Sequence, residues 1–332
     1  MPVKFVSFAG GVASIVICLA ASVTLAASGG SAIPPELAWA YPVAPAHTPE
    51  LKTPPGRYLT PDKKRTLSAQ QIDALSMKDV DWFPKSHPAP PSVIVSQGPD
   101  GAAPCAECHM INGQGVVGVP DLAGLPATYL FGEIKAFREG SRTSSQSGRL
   151  ATSVMIRVAK SWPDADLRAA VAYYASLPRR TPIHSVETET APSMRVERFG
   201  WTYVDAKHPQ RQALKGAVAE APESLARVFM YDPSDRQLVY VAKSTLMRGQ
   251  SLVATGGGGG QPCSGCHGVN LHGGPLAPPL AGRDPSYLAR QLWDIRSGAR
   301  SGASAGLMRG PAEGLSARDV TAVAAYLASL KP

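Results

Sequence analysis

The sequence predicts a mainly α-helical protein made of two copies of one small helical domain. An extended arm precedes the first copy and a long segment joins the two. Three observations predict this. The pentapeptide Cys-x-x-Cys-His occurs twice, as C-A-E-C-H (105–109) and C-S-G-C-H (263–267). The residues after each pentapeptide repeat one another in order. Apolar residues make up 44% of the chain but aromatics only 7%, with 32 Gly and 31 Pro, a balance that suits short helices and irregular connections better than extended sheet. A chain so poor in aromatics has reason to complete its cores with something other than side chains.

The first residues, MPVKFVSFAGGVASIVICLAASVTLAASGG, carry one Lys, a long apolar run and then small residues. That is the pattern of a secretory signal peptide, taken here as 1–27, with a cleavage site after Ala26 and others after Ser28 or Ala32. The apolar run is also long enough for an uncleaved anchor, which would associate the protein with a membrane. Export places the chain in an oxidising compartment. Cys18 lies inside the signal, which leaves four cysteines in the mature chain, all of them in the two pentapeptides.

Residues 28–98 read as an extended, Pro-rich arm, with one short helix at L-S-A-Q-Q-I-D-A-L-S-M (67–77). Trp39, Tyr41, Trp82 and Phe83 are costly to leave in water, so the arm is expected to wrap the first domain. The first domain is set at 99–180, the connecting segment at 181–239 and the second domain at 240–332. Fifty-nine residues is long for a bare linker. Its stretches 223–231 and 236–242 are apolar enough for a strand pair or packed segment that braces the two domains.

Aligning Cys105 on Cys263 sets the two copies 158 positions apart. D-L-A-G-L-P-A-T-Y-L (121–130) then falls on P-L-A-G-R-D-P-S-Y-L (279–288), and F-R-E-G-S-R (137–142) on I-R-S-G-A-R (295–300). After five extra residues in the first copy, Met155 meets Met308, and both copies close on a helix containing A-Y-x-A-S-L.

The formal charge is +8 and the pI about 9.3. The densest basic cluster is only Lys63-Lys64-Arg65, too short for a nucleic-acid arm, so no nucleic-acid partner is expected. A diffuse excess of positive charge instead steers an acidic protein partner.

Each pentapeptide admits two readings: half of a zinc or disulfide site, or a covalent haem site. A zinc ribbon would bring both cysteine pairs into one small site, and a redox dithiol would not require His after both pairs. Haem attachment requires all three residues. Two thiols at this spacing add to the two vinyl groups on one porphyrin edge, and the next residue swings beneath the iron. Cys105, Cys108 and His109, and Cys263, Cys266 and His267, are therefore the attachment residues of two covalent haem c groups.

Each iron has a sixth position. Met110 directly follows His109 and cannot reach over the ring, which leaves Met155 in the first copy and Met308 in the second as the matched candidates. A thioether favours ferrous iron, as an electron carrier needs. The alternative is that both are core residues. His184 and His208 have no counterpart in the repeat, and His272 lies too close to His267. The proximal histidines need a carbonyl to fix their tautomer, and Pro120 and Pro278 are the equivalent candidates. Tyr129, Tyr287, Arg142 and Arg300 are paired polar residues that either bind haem propionates or serve helix packing and surface charge.

Taken together, C-x-x-C-H, P-x-L-A-G, Y-L, F-R-x-G-x-R, the matched Met and A-Y-x-A-S-L resemble class I cytochrome c, and the tandem arrangement resembles bacterial periplasmic dihaem cytochromes c. The resemblance covers about 99–178 and 242–331. It implies a small helical bundle around each haem, His/Met ligation and electron transfer in a respiratory chain without substrate chemistry. One departure stands out. Such domains begin with a helix before the haem motif, which 240–255 supplies in the second copy. Pro90 and Pro91 break it in the first, so the first haem is expected to be more exposed there. Two other functions compete with a free carrier. A dihaem peroxidase would need one open iron position with acid–base residues beside it. A cytochrome subunit would dock on a membrane or periplasmic dehydrogenase or oxidase.

Overall fold

The computed structural model describes residues 33–332, apart from 50, 76–79, 181, 258–259 and 276. The expected signal peptide, its cleavage sites and Cys18 lie outside the described residues, as do 76–77 of the short helix read at 67–77. That helix runs over Ala69–Asp73 and opens on a capping box between Ser68 and Gln71. Among the described residues, no helix is long and apolar enough to cross a membrane.

The first copy is built on three helices, α1 (Ala127–Glu139), α2 (Leu150–Ser161) and α3 (Asp164–Ser176). They close around Leu130, Val158, Leu167, Val171 and Tyr174. The second copy is built on α4 (Lys243–Thr255), α5 (Pro285–Ser297) and α6 (Ala317–Ser329), around Val253, Leu288, Trp293, Val320 and Leu327. The ends of these helices follow from the sequence. α1 and α5 both stop at a left-handed glycine, Gly140 and Gly298, where any Cβ would be strained. The Asp284 side chain caps α5, and Ser316 and Asp319 form a capping box on α6. Gly249 lets α4 cross α6 closely, since a Cβ there would stand 2.0 Å from the Ala322 carbonyl oxygen. The copies differ where the prolines differ: Ser92–Val95 is a single turn capped by Pro91, against thirteen residues in α4.

The connecting segment folds into small sheets. Strand β1 (Ile183–Glu187) pairs in parallel with β3 (Gln237–Val241), and β3 pairs antiparallel with β2 (Ala219–Pro222). Val239 and Val241 then pack on Ala325 of α6. The apolar stretch at 223–231 forms a short helix, Leu225–Phe229, because Ser224 accepts the Arg227 amide and caps it.

The arm departs from the expectation that it wraps the first domain. Its 3₁₀ turn, Pro35–Ala40, buries Leu37, Ala40 and Tyr41 in the second core. Trp39 Nε1 donates to Thr321 Oγ1 at 3.1 Å, and the Tyr41 hydroxyl donates to Asp294 at 2.8 Å. The reason lies in a difference between the copies. In the first, Arg168 covers the ring of Phe131 at 3.9 Å. The matched residues of the second copy are Thr321 and Ala289, which leave room for the arm. Trp82 packs instead beneath the connecting segment, against Ala226 and Met230.

The two copies meet through their matched loops. Arg142 and Arg300 form an antiparallel bridge. Thr143 N donates to Ala299 O and Ser301 N to Ser141 O, each at 2.7 Å.

Candidate functional site

Each pentapeptide forms one helical turn, Ala106–His109 and Ser264–His267, which brings the first cysteine and the histidine to the same side. The chain then turns away through Met110 at φ +60° and Gly268 at φ +77°. Both histidines are buried. His109 Nδ1 lies 3.0 Å from Pro120 O, and His267 Nδ1 lies 2.8 Å from Pro278 O. A carbonyl only accepts, so Nδ1 carries the proton and Nε2 presents its lone pair. Burial pushes the His109 imidazole down to about 4 and lowers that of His267, so both are neutral at pH 7. Among the described residues His267 Nε2 is buried without a hydrogen-bond partner, as suits a nitrogen that meets a Lewis acid.

A cavity of about 730 Å³ opens beside the first pentapeptide. Cys105, Cys108 and His109 line it, and so does Met155 from α2. Leu122, Leu130, Ile134, Val158 and Val171 supply apolar wall, while Tyr129, Arg142, Arg149, Tyr287, Arg290 and Gln291 supply a polar part. A flat apolar macrocycle with two carboxylates on one edge fits this donor set. In the second copy, Met308 is half-buried against Ile295, Ala305 and Ala312 at the start of the short helix Arg309–Glu313. Among the described residues no three of His, Cys, Asp and Glu converge as a metal site.

The paired polar residues lie at the boundary between the copies. Arg142 and Arg300 are not surface charges; each is 8% exposed. Arg142 donates to one oxygen of Glu133 and Arg300 to the other, both at 2.7 Å. Each arginine also reaches the tyrosine of the opposite copy, Arg142 to Tyr287 and Arg300 to Tyr129, both at 3.4 Å. Tyr129, Tyr287 and Arg142 line the first cavity, whereas Arg300 does not. His184, His208 and His272 are exposed.

Sequence reasoning missed Glu133, Arg149, Phe199, Trp201, Arg290 and Gln291, all of which line the first cavity. Phe199 and Trp201 stack 5.4 Å apart in the connecting segment. Their signal was two aromatics in F-G-W, within a chain that has few. The connecting segment packs beside the first pentapeptide: Trp201, Val228 and Tyr231 lie, with Cys108, against the buried Met110, Val116 and Val119.

Comparison with known proteins agrees with this geometry. The family model described as "Cytochrome c" matches twice, over residues 101–178 and 246–331. Cytochrome c-554(548) of Halomonas halodenitrificans is 40% identical over 80 residues, 24% of this chain and 90% of that protein. Cytochrome c4 of Azotobacter vinelandii is 28% identical over 240 residues, 70% of this chain and 87% of that one. A thiosulfate dehydrogenase electron acceptor from Thiomonas intermedia is 47% identical over 72 residues, 21% of this chain and 32% of that one.

Proposed function

The chain belongs to the cytochrome c family and is a cytochrome c4-like electron carrier with two covalent haem c groups; from that premise we propose how it holds them and where it works. His109 and Met155 take the two axial positions of the first iron, and His267 and Met308 those of the second. Cys105 with Cys108, and Cys263 with Cys266, form the thioether links. Pro120 and Pro278 fix the histidine tautomers, and Tyr129, Tyr287, Arg142 and Arg300 surround the propionates at the boundary between domains 99–180 and 240–332. Bound haem supplies a one-electron ferric/ferrous couple. The chain's residues hold it, exclude water and set its potential.

The observation that carries this reading is the first cavity, which His109 and Met155 line together beside both cysteines. Two filled axial positions leave no place for a peroxide, which weighs against the peroxidase reading. The work is then periplasmic electron transfer in a respiratory chain, with an acidic redox protein as partner. A second reading, a cytochrome subunit docked on a dehydrogenase, draws support from the 47% identity to the thiosulfate dehydrogenase electron acceptor. The test is a haem count and an absorption spectrum of the oxidised protein in the region of the weak methionine-to-iron charge-transfer band. The reading expects two haems, both with the band and neither binding cyanide or carbon monoxide readily. One high-spin or ligand-accessible iron would move the function towards an enzyme.

A further inference from the structure

The two copies repeat each other in motif but not in surroundings. In the first, Cys108 packs with Trp201, Val228 and Tyr231 against the buried Met110, Val116 and Val119, and the Tyr231 hydroxyl donates to Glu107 O at 3.3 Å. In the second, Cys266 is exposed. Two residues past each histidine, Ile111 is 9% exposed and Val269 is 82% exposed. The connecting segment occurs once in the chain, and among the described residues it packs beside the first copy's pentapeptide.

The charges differ as well. Arg149 and Arg290 both line the first cavity, are both buried, and among the described residues neither forms an ion pair with a carboxylate. Arg149 donates to Gln146 at 3.0 Å. Gly200, between Phe199 and Trp201, packs so closely that a Cβ there would stand 3.3 Å from the Arg149 guanidinium. Arg290 comes from the second domain and reaches the first by donating to Gly118 O at 2.6 Å. Neither arginine has a repeat partner of its kind. The residue matched to Arg290, 158 positions earlier, is Gly132, and Arg149 falls in the stretch where the first copy is five residues longer. Burial and mutual repulsion lower the Arg149 guanidinium to about 9, as expected of cations placed to meet an anion.

We propose that these surroundings make the first haem the higher-potential centre, and that Arg149, Arg290 and the Phe199–Trp201 wall are the residues that raise it. Reduction removes one positive charge from the iron. A dry wall penalises the more highly charged ferric form, and cations that compensate the two propionates favour the ferrous form. One electron that leaves a reduced partner protein, oxidising that partner by one electron, enters at the exposed second site and comes to rest at the enclosed first one.

This inference rests on the His/Met dihaem reading, and the test separates the two. Spectroelectrochemical titration of the full holoprotein resolves two potentials. Met155→His and Met308→His, made separately, identify them, because exchanging the thioether lowers the potential of that site alone. The expected result is that the potential lowered by Met155→His is the higher of the two. Arg149→Gln and Trp201→Leu should each lower that same potential, changing its reduction equilibrium about tenfold, or ~59 mV for one electron, while the other stays in place. Arg290→Gln should act alike, but it also breaks contacts to Ala40 and Gly118, so the first two variants carry the test. Retention of the methionine charge-transfer band excludes loss of ligation as the cause. The proposal is overturned if the higher potential follows Met308→His, or if the variants shift both potentials or neither. Fewer than two covalent haems, or methionine variants without a spectral change, would overturn the underlying dihaem reading and this inference with it.

Discussion

Glu133 bridges Arg142 and Arg300, and Glu133→Gln tests whether that clamp holds the two domains together. Glu133 is 5% exposed and receives a guanidinium at 2.7 Å on each oxygen, with Ser304 Oγ at 2.8 Å from one of them. At an effective dielectric of about 20, charge centres about 4 Å apart attract by ~4 kcal/mol per pair, and desolvation of all three groups offsets much of that. Removing the acid is different, because it takes away the carboxylate that bridges two buried guanidinium groups across the boundary. The expected loss is about 3–5 kcal/mol. The repeat sharpens the test: Gln291 already stands at the matched position of α5, so the variant places glutamine on both sides of the boundary. The assay is urea unfolding of the oxidised protein at pH 7, followed separately by helix circular dichroism and haem absorbance. We expect one transition in the parent chain, and an earlier or split transition in the variant. A loss below about 1 kcal/mol would refute the reasoning. Acid gives a second readout. Burial raises the Glu133 carboxyl, but Arg142 and Arg300 outweigh it and hold the group below its ordinary range. The folded value is depressed, so this stabilisation is present above the unfolded carboxylate range and is lost as pH falls through the lower folded value. Glu133→Gln should remove that part of the acid sensitivity.

Met155→Ala and Met308→Ala should each abolish about half of the methionine charge-transfer band and open one iron to cyanide, measured by titration; an unchanged band would reassign the ligand. Trp82→Ala removes a buried indole that donates to the Met230 carbonyl, and should cost about 3–5 kcal/mol in thermal or urea unfolding. Burial and the neighbouring Asp284 push the Glu220 carboxyl up to about 8. The folded state therefore holds a proton that the unfolded chain releases, so stability should fall as pH rises from about 4.5 to about 8, and Glu220→Gln should flatten that decline. Equal slopes in the two proteins would show that Glu220 does not hold this proton.

The sequence by itself determined the chemistry of the sites. Two thiols and an imidazole must stand at fixed spacing to meet one porphyrin edge, so the pentapeptide survives as a local pattern whatever surrounds it. The repeat set Met155 against Met308 and Pro120 against Pro278, because residues that serve a common domain frame keep their distance from the motif. Helix ends were equally local: Gly140, Gly298 and the Ser316–Asp319 box act within one turn. Tertiary structure alone decided what each site faces. The arm lies on the second domain because Ala289 and Thr321 leave a space that Phe131 and Arg168 fill in the first. Glu133 meets Arg300 across 167 positions, and Arg290 meets Gly118 across 172. Such contacts arise from the packing of two similar surfaces, and no spacing along the chain encodes which charge, wall or arm the neighbouring domain will supply.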